Sequence, residues 1–340
     1  MTRSLVIGGS GYVGRELVRQ LAAREGDEVH LLGRSQPAGD LPAAWIGADI
    51  TQRESLRAAL AGRQYDVIYH LASLPGDTGD PLQMVTVNLL GLTHALEIAR
   101  DMPGLQRFVL SGSISAYEWY PATKFRAPAY QPVDEEHPTR PEDMYSVTKR
   151  AQELIALTFW HQDRLPVTVL RLTAVIGPEG SGGGRSWRAF ARMLVEGVRV
   201  EIPFFSMEEI CHFIDLRDAA RMHVVAAEHP GAVGQTFNCC GAESTSGMEF
   251  AAALERLRPG IEVVTGFPWS MAQGDVIEFD MRKARDLLDF VPQYGIGDSL
   301  AHILAWVEGD GLERTPDPDE EVSDTGVEAE QGRASQDASG

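Results

Sequence analysis

Seven residues near the start of the chain, Gly8-Gly9-Ser10-Gly11-Tyr12-Val13-Gly14, restrict its fold more than any others. They follow the apolar run Leu5-Val6-Ile7 and precede a segment whose Leu17, Val18 and Leu21 share one helical face. Glycines between a strand and a helix allow a tight turn, let the backbone approach a pyrophosphate, and let helix pack closely on strand. The helix then offers free N–H groups and the positive end of its dipole to the phosphates. The expectation is a dinucleotide cradle formed by Gly8, Gly11, Tyr12, Val13 and Gly14.

Strand and helix signals alternate through the first half. Glu28–Leu32, Asp66–Leu71, Arg107–Leu110 and Val167–Leu172 read as strands, and Gly14–Ala23, Glu54–Leu60, Val85–Arg100 and Ser146–His161 as helices. Such alternation means βαβ units on a parallel sheet, hence an α/β fold with a Rossmann-type doubly wound parallel sheet. After Gly177-Pro178 the pattern changes. The glycine-rich stretch 180–184 reads as a loop. The helical stretches 186–196, 216–228, 246–257 and 299–307 then predict a smaller C-terminal α/β substrate lobe. The expected division is a dinucleotide-binding domain over 1–175, rejoined by a segment near 208–240, and a substrate lobe over 176–308. The remainder, 309–340, has ten acids, two arginines and few large apolar residues. Too little burial is available there to offset ordering entropy, so a disordered acidic tail is expected.

Charge and cysteine content narrow the partners. A net charge of −19 argues against nucleic acid, whose phosphates require a basic surface. No unbroken run of 18 apolar residues occurs, so no membrane span is expected. The first apolar stretch is too short for a signal peptide, which points to the cytoplasm. Cys211, Cys239 and Cys240 form neither a disulfide framework nor a set with metal-ligand spacing. Small buried hydrophobes are the expected reading, with no metal.

The second strand ends at Leu32-Gly33-Arg34. NAD enzymes place an acid near this point to hold the ribose 2′-hydroxyl. A guanidinium fits a 2′-phosphate instead, by charge-assisted hydrogen bonds. NADP is therefore preferred over NAD, with Arg34 as the selecting residue. Asp49 and Ile50 are candidate adenine contacts, and Asp49 reads equally as a cap for the next helix.

Catalysis is expected from Tyr145 and Lys149, one helical turn apart in Met144-Tyr145-Ser146-Val147-Thr148-Lys149. An ammonium beside a phenol favours the phenolate, and such a phenol exchanges a proton with a substrate oxygen near neutral pH. The chain has three lysines, and Lys124 stands at the same spacing from Tyr120. Pro121 and Pro128 make that stretch a loop, so Tyr145 is the catalytic candidate. The strand Phe108-Val109-Leu110 runs into Ser111-Gly112-Ser113-Ile114-Ser115, placing hydroxyls where parallel strands line a ligand crevice.

These residues together resemble the extended short-chain dehydrogenase/reductase family, also called the NAD-dependent epimerase/dehydratase family, over about residues 1–308. Gly8, Gly11 and Gly14 match its glycine motif, and Tyr145 and Lys149 its Tyr/Lys pair. His70-Leu71-Ala72-Ser73 resembles the stretch after its fourth strand, which adds Leu71 and Ala72 to the cofactor-binding set. Asn88 resembles the Asn of its next helix, and Arg171 to Pro178, Phe213 to Asp218 and Asp280 to Lys283 resemble later landmarks. The resemblance implies Ser113 as the catalytic hydroxyl, Lys149 also holding the ribose, and homodimers through two long helices.

Departures from the family pattern bear on the substrate. Ile114 and Ser115 replace the Asp-Glu pair of sugar-nucleotide 4,6-dehydratases, so dehydration is not expected. Ala174 replaces the Asn, and Cys211 the Arg, of nucleotide-sugar epimerases. Losing an amide and a guanidinium removes phosphate partners, although Arg185, Arg188 and Arg192 offer replacements. The expected function is an NAD(P)-dependent oxidoreductase on a small secondary alcohol or ketone. An epimerase with tightly bound NAD and a non-catalytic dinucleotide-binding regulator are the alternatives.

Overall fold

The computed structural model describes residues 1–37, 39, 41–74, 76, 80–117, 128–179, 185–197, 199–265 and 278–314. In the first half the chain forms β1 (Arg3–Ile7), α1 (Tyr12–Ala22), β2 (Glu28–Gly33), β3 (Ala44–Gly47), α2 (Arg53–Leu60), β4 (Val67–His70), α3 (Pro81–Val85), α4 (Gly91–Arg100), β5 (Arg107–Ser113), α5 (Met144–Asp163) and β6 (Val167–Leu172). It continues with β7 (Ala174–Ile176), α6 (Arg185–Glu196), β8 (Arg199–Glu201), β9 (Ile210–Cys211), β10 (Phe213–Asp215), α7 (Leu216–Glu228), β11 (Gln235–Cys239), β12 (Thr245–Ser246), α8 (Gly247–Leu257), β13 (Glu262–Val264), α9 (Arg282–Leu288), α10 (Ile296–Glu308) and α11 (Gly311–Arg314).

Seven parallel strands make the central sheet, in the order β11-β6-β5-β4-β1-β2-β3. Every residue of β4 and β6 is buried, as expected for strands covered on both faces. On one face Val6, Val109 and Phe237 pack with Leu17, Val18 and Leu21 of α1 and Met222 and Ala226 of α7. On the other, Ile7, Ile68 and Leu110 pack with Leu56 of α2, Leu92 and Leu96 of α4, and Ala156 of α5. Each such large apolar side chain contributes about 1.5–3 kcal/mol on burial. The chain runs outward from β1 in both directions, to β2 and to β4, so a topological switch point opens beside β1.

The helix expected from Val85 begins earlier, at Pro81. Asp80 caps it by accepting from the amides of Leu82 (3.1 Å) and Gln83 (3.2 Å), and proline suits the first turn. A π turn, Thr86–Leu90, joins α3 to α4 and carries the fully buried Asn88. By length and composition Pro81–Arg100 is apolar enough to cross a membrane. Here its inner face instead packs against α5 and α2 beside the sheet.

The second lobe holds three two-stranded pairings, β7–β10, β8–β13 and β9–β12, and the helices α6, α8 and α10. Its centre is aromatic: Trp187, Phe190, Phe204, Phe213 and Phe250. Ser246 and Glu249 form a reciprocal capping box at the start of α8. Within the 208–240 region only β11 joins the central sheet, whereas β9 and β10 pair inside the lobe. The start of the expected tail is also structured. Gly311–Arg314 form α11 against α6 and α10, because Leu312 packs on the aromatic cluster and its carbonyl accepts from Arg188 (3.1 Å). Residues 315–340, the 180–184 loop and the Tyr120/Lys124 stretch lie outside the described residues.

Candidate active site

The cradle glycines divide into two kinds. A Cβ on Gly8 would lie 2.5 Å from the Ala72 nitrogen, and Gly8 has φ +85°, so the passage of Leu71-Ala72 over β1 requires glycine there. A Cβ on Gly14 would lie 2.5 Å from the Gly8 carbonyl, so Gly14 lets α1 sit on the turn. Gly11 is different. Its absent Cβ would meet only the Gly8 oxygen, at 3.2 Å, in an ordinary extended conformation. Protein packing alone places few demands on Gly11, whereas a phosphate seated at the first turn of α1 uses that open face. The cradle fits a dinucleotide.

Tyr12 does something the motif does not predict. Its ring packs into the lobe's aromatic cluster, and its hydroxyl donates to the carbonyl of Gly177 at 2.8 Å. Burial, then the charges of Asp215 and Glu179, raise this phenol's pKa. Only the backbone N–H groups of Tyr12 and Val13 remain to face phosphates. Next to them Arg15 and Arg19 reach Glu179, at 3.3 and 2.7 Å, tying α1 to the segment that enters the lobe.

Arg34 is exposed just past β2 and makes no hydrogen bond or ion pair among the described residues. Asp49 accepts from the amide (2.9 Å) and hydroxyl (2.8 Å) of Thr51, which closes a turn ahead of α2 rather than capping it. Ile50 is buried against Gly91, where an added Cβ would lie 2.7 Å from its Cδ1. Asp49 is thus half-buried in a local turn, whereas Ile50 faces the core.

Tyr145 and Lys149 lie in the first turns of α5. Asp143 caps that helix, accepting from the amide (2.9 Å) and hydroxyl (2.5 Å) of Ser146. Tyr145 is half-buried, and its ring centre is 5.9 Å from Lys149 Nζ. Lys149 is buried and donates to the Ser111 carbonyl at 3.1 Å, which joins helix to strand β5. Burial pushes its ammonium down to about 8, against the opposing charge of Glu153. Ser113, half-buried at the end of β5, accepts from the Ser115 amide at 3.1 Å and keeps its own proton to donate. Ser115 is buried, and its hydroxyl has no hydrogen-bond partner among the described residues.

Polar groups that the motifs left unassigned surround this pair. Asn88 donates to Thr148 (3.0 Å) and accepts from the Leu74 amide (2.8 Å), while Gln152 donates to the Asn88 carbonyl (2.8 Å). Glu153 is fully buried and paired with Arg171 through two 2.9 Å bonds. Arg171 also lies over the Tyr117 ring, 4.5 Å from its centre. The signal for these residues was the polar series Ser146, Thr148, Lys149, Gln152 and Glu153 on one face of α5, a face that would carry hydrophobes if it only packed.

The positions that depart from the epimerase pattern are lined differently. Ala174 pairs with Phe213 across β7–β10, and Cys211 lies in the lobe's apolar cluster, where burial raises its thiol pKa. Arg188 is held on the Leu312 carbonyl, Arg192 is exposed, and the Arg185 side chain lies outside the described residues.

Residues 4–240 match the sequence profile of the NAD dependent epimerase/dehydratase family. The chain belongs to this family. With it come the extended short-chain dehydrogenase/reductase architecture, an enzyme's identity and a nicotinamide dinucleotide cofactor. A UDP-glucose 4-epimerase of Lacticaseibacillus casei is 26% identical over 326 residues, spanning 88% of this chain and 95% of the relative. A 4-hydroxy-2-methyl-3-oxo-4-farnesyl-3,4-dihydroquinoline-1-oxide ketoreductase of Stigmatella aurantiaca is 35% identical over 162 residues, 46% of this chain and 45% of that one. The structure of UDP-glucuronic acid 4-epimerase from Bacillus cereus, in complex with UDP-glucuronic acid and NAD, shares the fold with a TM-score of 0.74. It is 23% identical and covers 90% of this chain and 99% of its own.

Proposed function

We propose that this family member is an NAD(P)-dependent oxidoreductase that interconverts a secondary alcohol and a ketone, with Tyr145 as the acid/base. The observation that carries the reading is the buried Lys149 ammonium, anchored on the Ser111 carbonyl beside the Tyr145 ring. An ammonium in that position favours the phenolate, so Tyr145 takes the proton of an alcohol or returns one to a carbonyl oxygen. Ser113 donates to the same oxygen and orients it. The nicotinamide supplies the hydride chemistry when bound. Gly8, Gly11 and Gly14 with the first turn of α1 hold its pyrophosphate, with Leu71 and Ala72 close over the turn and Asp49 at the adenine end. The free guanidinium of Arg34 supports NADP as the preferred form.

The lack of an amide at Ala174 and of a guanidinium at Cys211 supports a substrate other than a nucleotide-diphosphate sugar. The ketoreductase relative is in keeping with net redox chemistry, and the L. casei relative favours the second reading, an epimerase that retains NAD. Two measurements separate them. Cofactor released on denaturing the purified protein is identified by mass, and NADPH and NADH consumption is followed with a panel of ketones. Substrate-dependent NADPH oxidation that falls roughly 10²–10⁴-fold in Tyr145→Phe is expected. Full activity in that variant ends the assignment of Tyr145. Retained NAD with no net consumption selects the epimerase.

The proposed setting is the cytoplasm, in keeping with three free buried cysteines. We further propose a homodimer through the exposed Leu82, Val85 and Leu90 of one helix and Val147 and Leu154 of α5. Leu154→Glu should halve the mass measured by light scattering, and an unchanged dimer removes this face.

A further inference from the structure

We propose that Glu153, with its partner Arg171, sets the charge state of Lys149 and thereby the working pH of the Tyr145/Lys149 pair. The proposal rests on the acid/base reading above. Glu153 lies one helical turn beyond Lys149, so both side chains leave the same face of α5. Lys149 reaches the Ser111 carbonyl on β5, and Glu153 reaches Arg171 on β6. Arg171 stands opposite Gly112 in the register, the residue after Ser111. Ammonium and carboxylate therefore meet the sheet on adjacent strands.

Glu153 has no exposed side-chain surface, and all of its charge is directed within the protein. One oxygen accepts from Arg171 Nε at 2.9 Å. The other is shared by Arg171 at 2.9 Å and Arg150 at 2.7 Å. Two guanidinium groups thus flank one carboxylate. Among the described residues, the remaining groups that face Lys149 offer no second anion. His70 on β4 is buried, and burial, then Lys149, push it down to about 3 against the backbone of Ala72, so it is neutral. Tyr145 is a phenol. Glu135 touches Arg171 through its backbone carbonyl (3.2 Å), and its carboxylate accepts from the Asn238 amide (2.7 Å). Lys283 lies farther along, over the Phe237 ring.

Burial alone drives Lys149 toward the neutral amine, and a neutral amine does not acidify the phenol. Glu153 is the charge that opposes this loss. Arg171 fixes the carboxylate in place and, as a cation, limits how far it raises Lys149. Burial takes the ammonium's titration below that of a free lysine, and the pair keeps it from falling further. On this account Glu153 and Arg171 are positioning residues that act through Lys149. Their removal must move a titration in opposite directions, which packing alone does not require.

The chain's three lysines make the test direct. The full-length protein, with and without NADPH, carries lysine labelled with ¹³C at Cε, and Lys149→Met identifies the Lys149 signal. Glu153→Gln is expected to lower the Lys149 midpoint by roughly one unit or more, and Arg171→Gln to raise it. The double variant Glu153→Gln/Arg171→Gln should place it between the two single variants and below the parent, because burial is then unopposed. It also removes both buried charges together, so it remains informative where a single variant does not fold. Where catalysis follows Lys149, the basic limb of the pH–rate profile moves with these midpoints. A folded Glu153→Gln variant whose Lys149 midpoint does not fall, a folded Arg171→Gln variant whose midpoint does not rise, or a folded double variant whose midpoint is not below the parent's overturns the proposal. Midpoints that move as stated while the pH–rate profile stays fixed support the tuning and instead overturn the catalytic reading of Lys149.

Discussion

Tyr12→Phe separates two accounts of one residue. The glycine motif places Tyr12 in the dinucleotide cradle, whereas the structure turns its side chain into the other lobe. The substitution removes one hydroxyl and leaves the ring in the aromatic cluster, so no cavity forms. What is lost is the 2.8 Å bond to the Gly177 carbonyl, made by a side chain only 9% exposed. A buried acceptor left without its donor costs about 1–3 kcal/mol. At about 2–4 °C per kcal/mol for a chain of this size class, Tm should fall by roughly 2–12 °C. Thermal and urea unfolding measure the loss, and fluorescence titration with NADPH and NADH measures binding. Both affinities should stay within about twofold of the parent, a change under about 0.5 kcal/mol. Unchanged stability with weakened dinucleotide binding would mean that the phenol serves the cofactor, and the reasoning would be refuted.

Gly11→Val should cost some stability, because its Cβ presses on the Gly8 carbonyl at 3.2 Å and valine is a poor helix N-cap, and should weaken dinucleotide binding of the folded variant at least about tenfold, or about 1.4 kcal/mol; equal affinity by titration removes the cradle argument. Arg34→Ala should raise the Kd for NADPH by roughly tenfold or more through loss of a charge-assisted hydrogen bond, and leave NADH unaffected. Equal effects on the two cofactors would show that Arg34 does not read the 2′-phosphate. Burial lowers His70 to about 3 and His223 to about 4, so both are neutral in the folded chain. Unfolded histidine binds its proton near ~6.5, so their contribution to stability is complete above that pH and is lost as pH falls toward 4 and then 3. Urea unfolding between pH 7 and 4 should show this decline, and His223→Leu should flatten it; an unchanged slope in that variant contradicts the assignment.

Local spacing carried much of the site. The glycine turn is set within seven consecutive residues and the Tyr145/Lys149 step within about one helical turn, and such patterns survive in a bare sequence because the backbone enforces them. Five strands of the central sheet were also legible, since burial on both faces leaves short apolar runs such as Leu5-Val6-Ile7 and Phe108-Val109-Leu110. What escaped depended on distant partners. Periodicity gives the face on which Glu153 lies, but not that Arg171 is opposite it. Tyr12 meets Gly177 across 165 residues of chain, and no local rule joins them. Leu312 escaped for a related reason: one apolar residue in an acidic stretch gains its value only from a cluster built elsewhere. The π turn at Asn88 was hidden because one extra residue in a helical turn barely alters an apolar pattern.

The late return of β11 bears on how this protein is made and cut. Strand β6 is buried along its whole length, and its outer hydrogen bonds are completed by Gln235–Cys239, with the first part of the lobe, β7 to β10, synthesised in between. A ribosome that has released only the first 175 residues has delivered a sheet with a bare apolar edge. Such an edge recruits neighbouring chains. Truncation after β6 should therefore give insoluble material rather than a miniature cofactor-binding module. Excising the lobe would require grafting Gln235–Cys239 back beside β6.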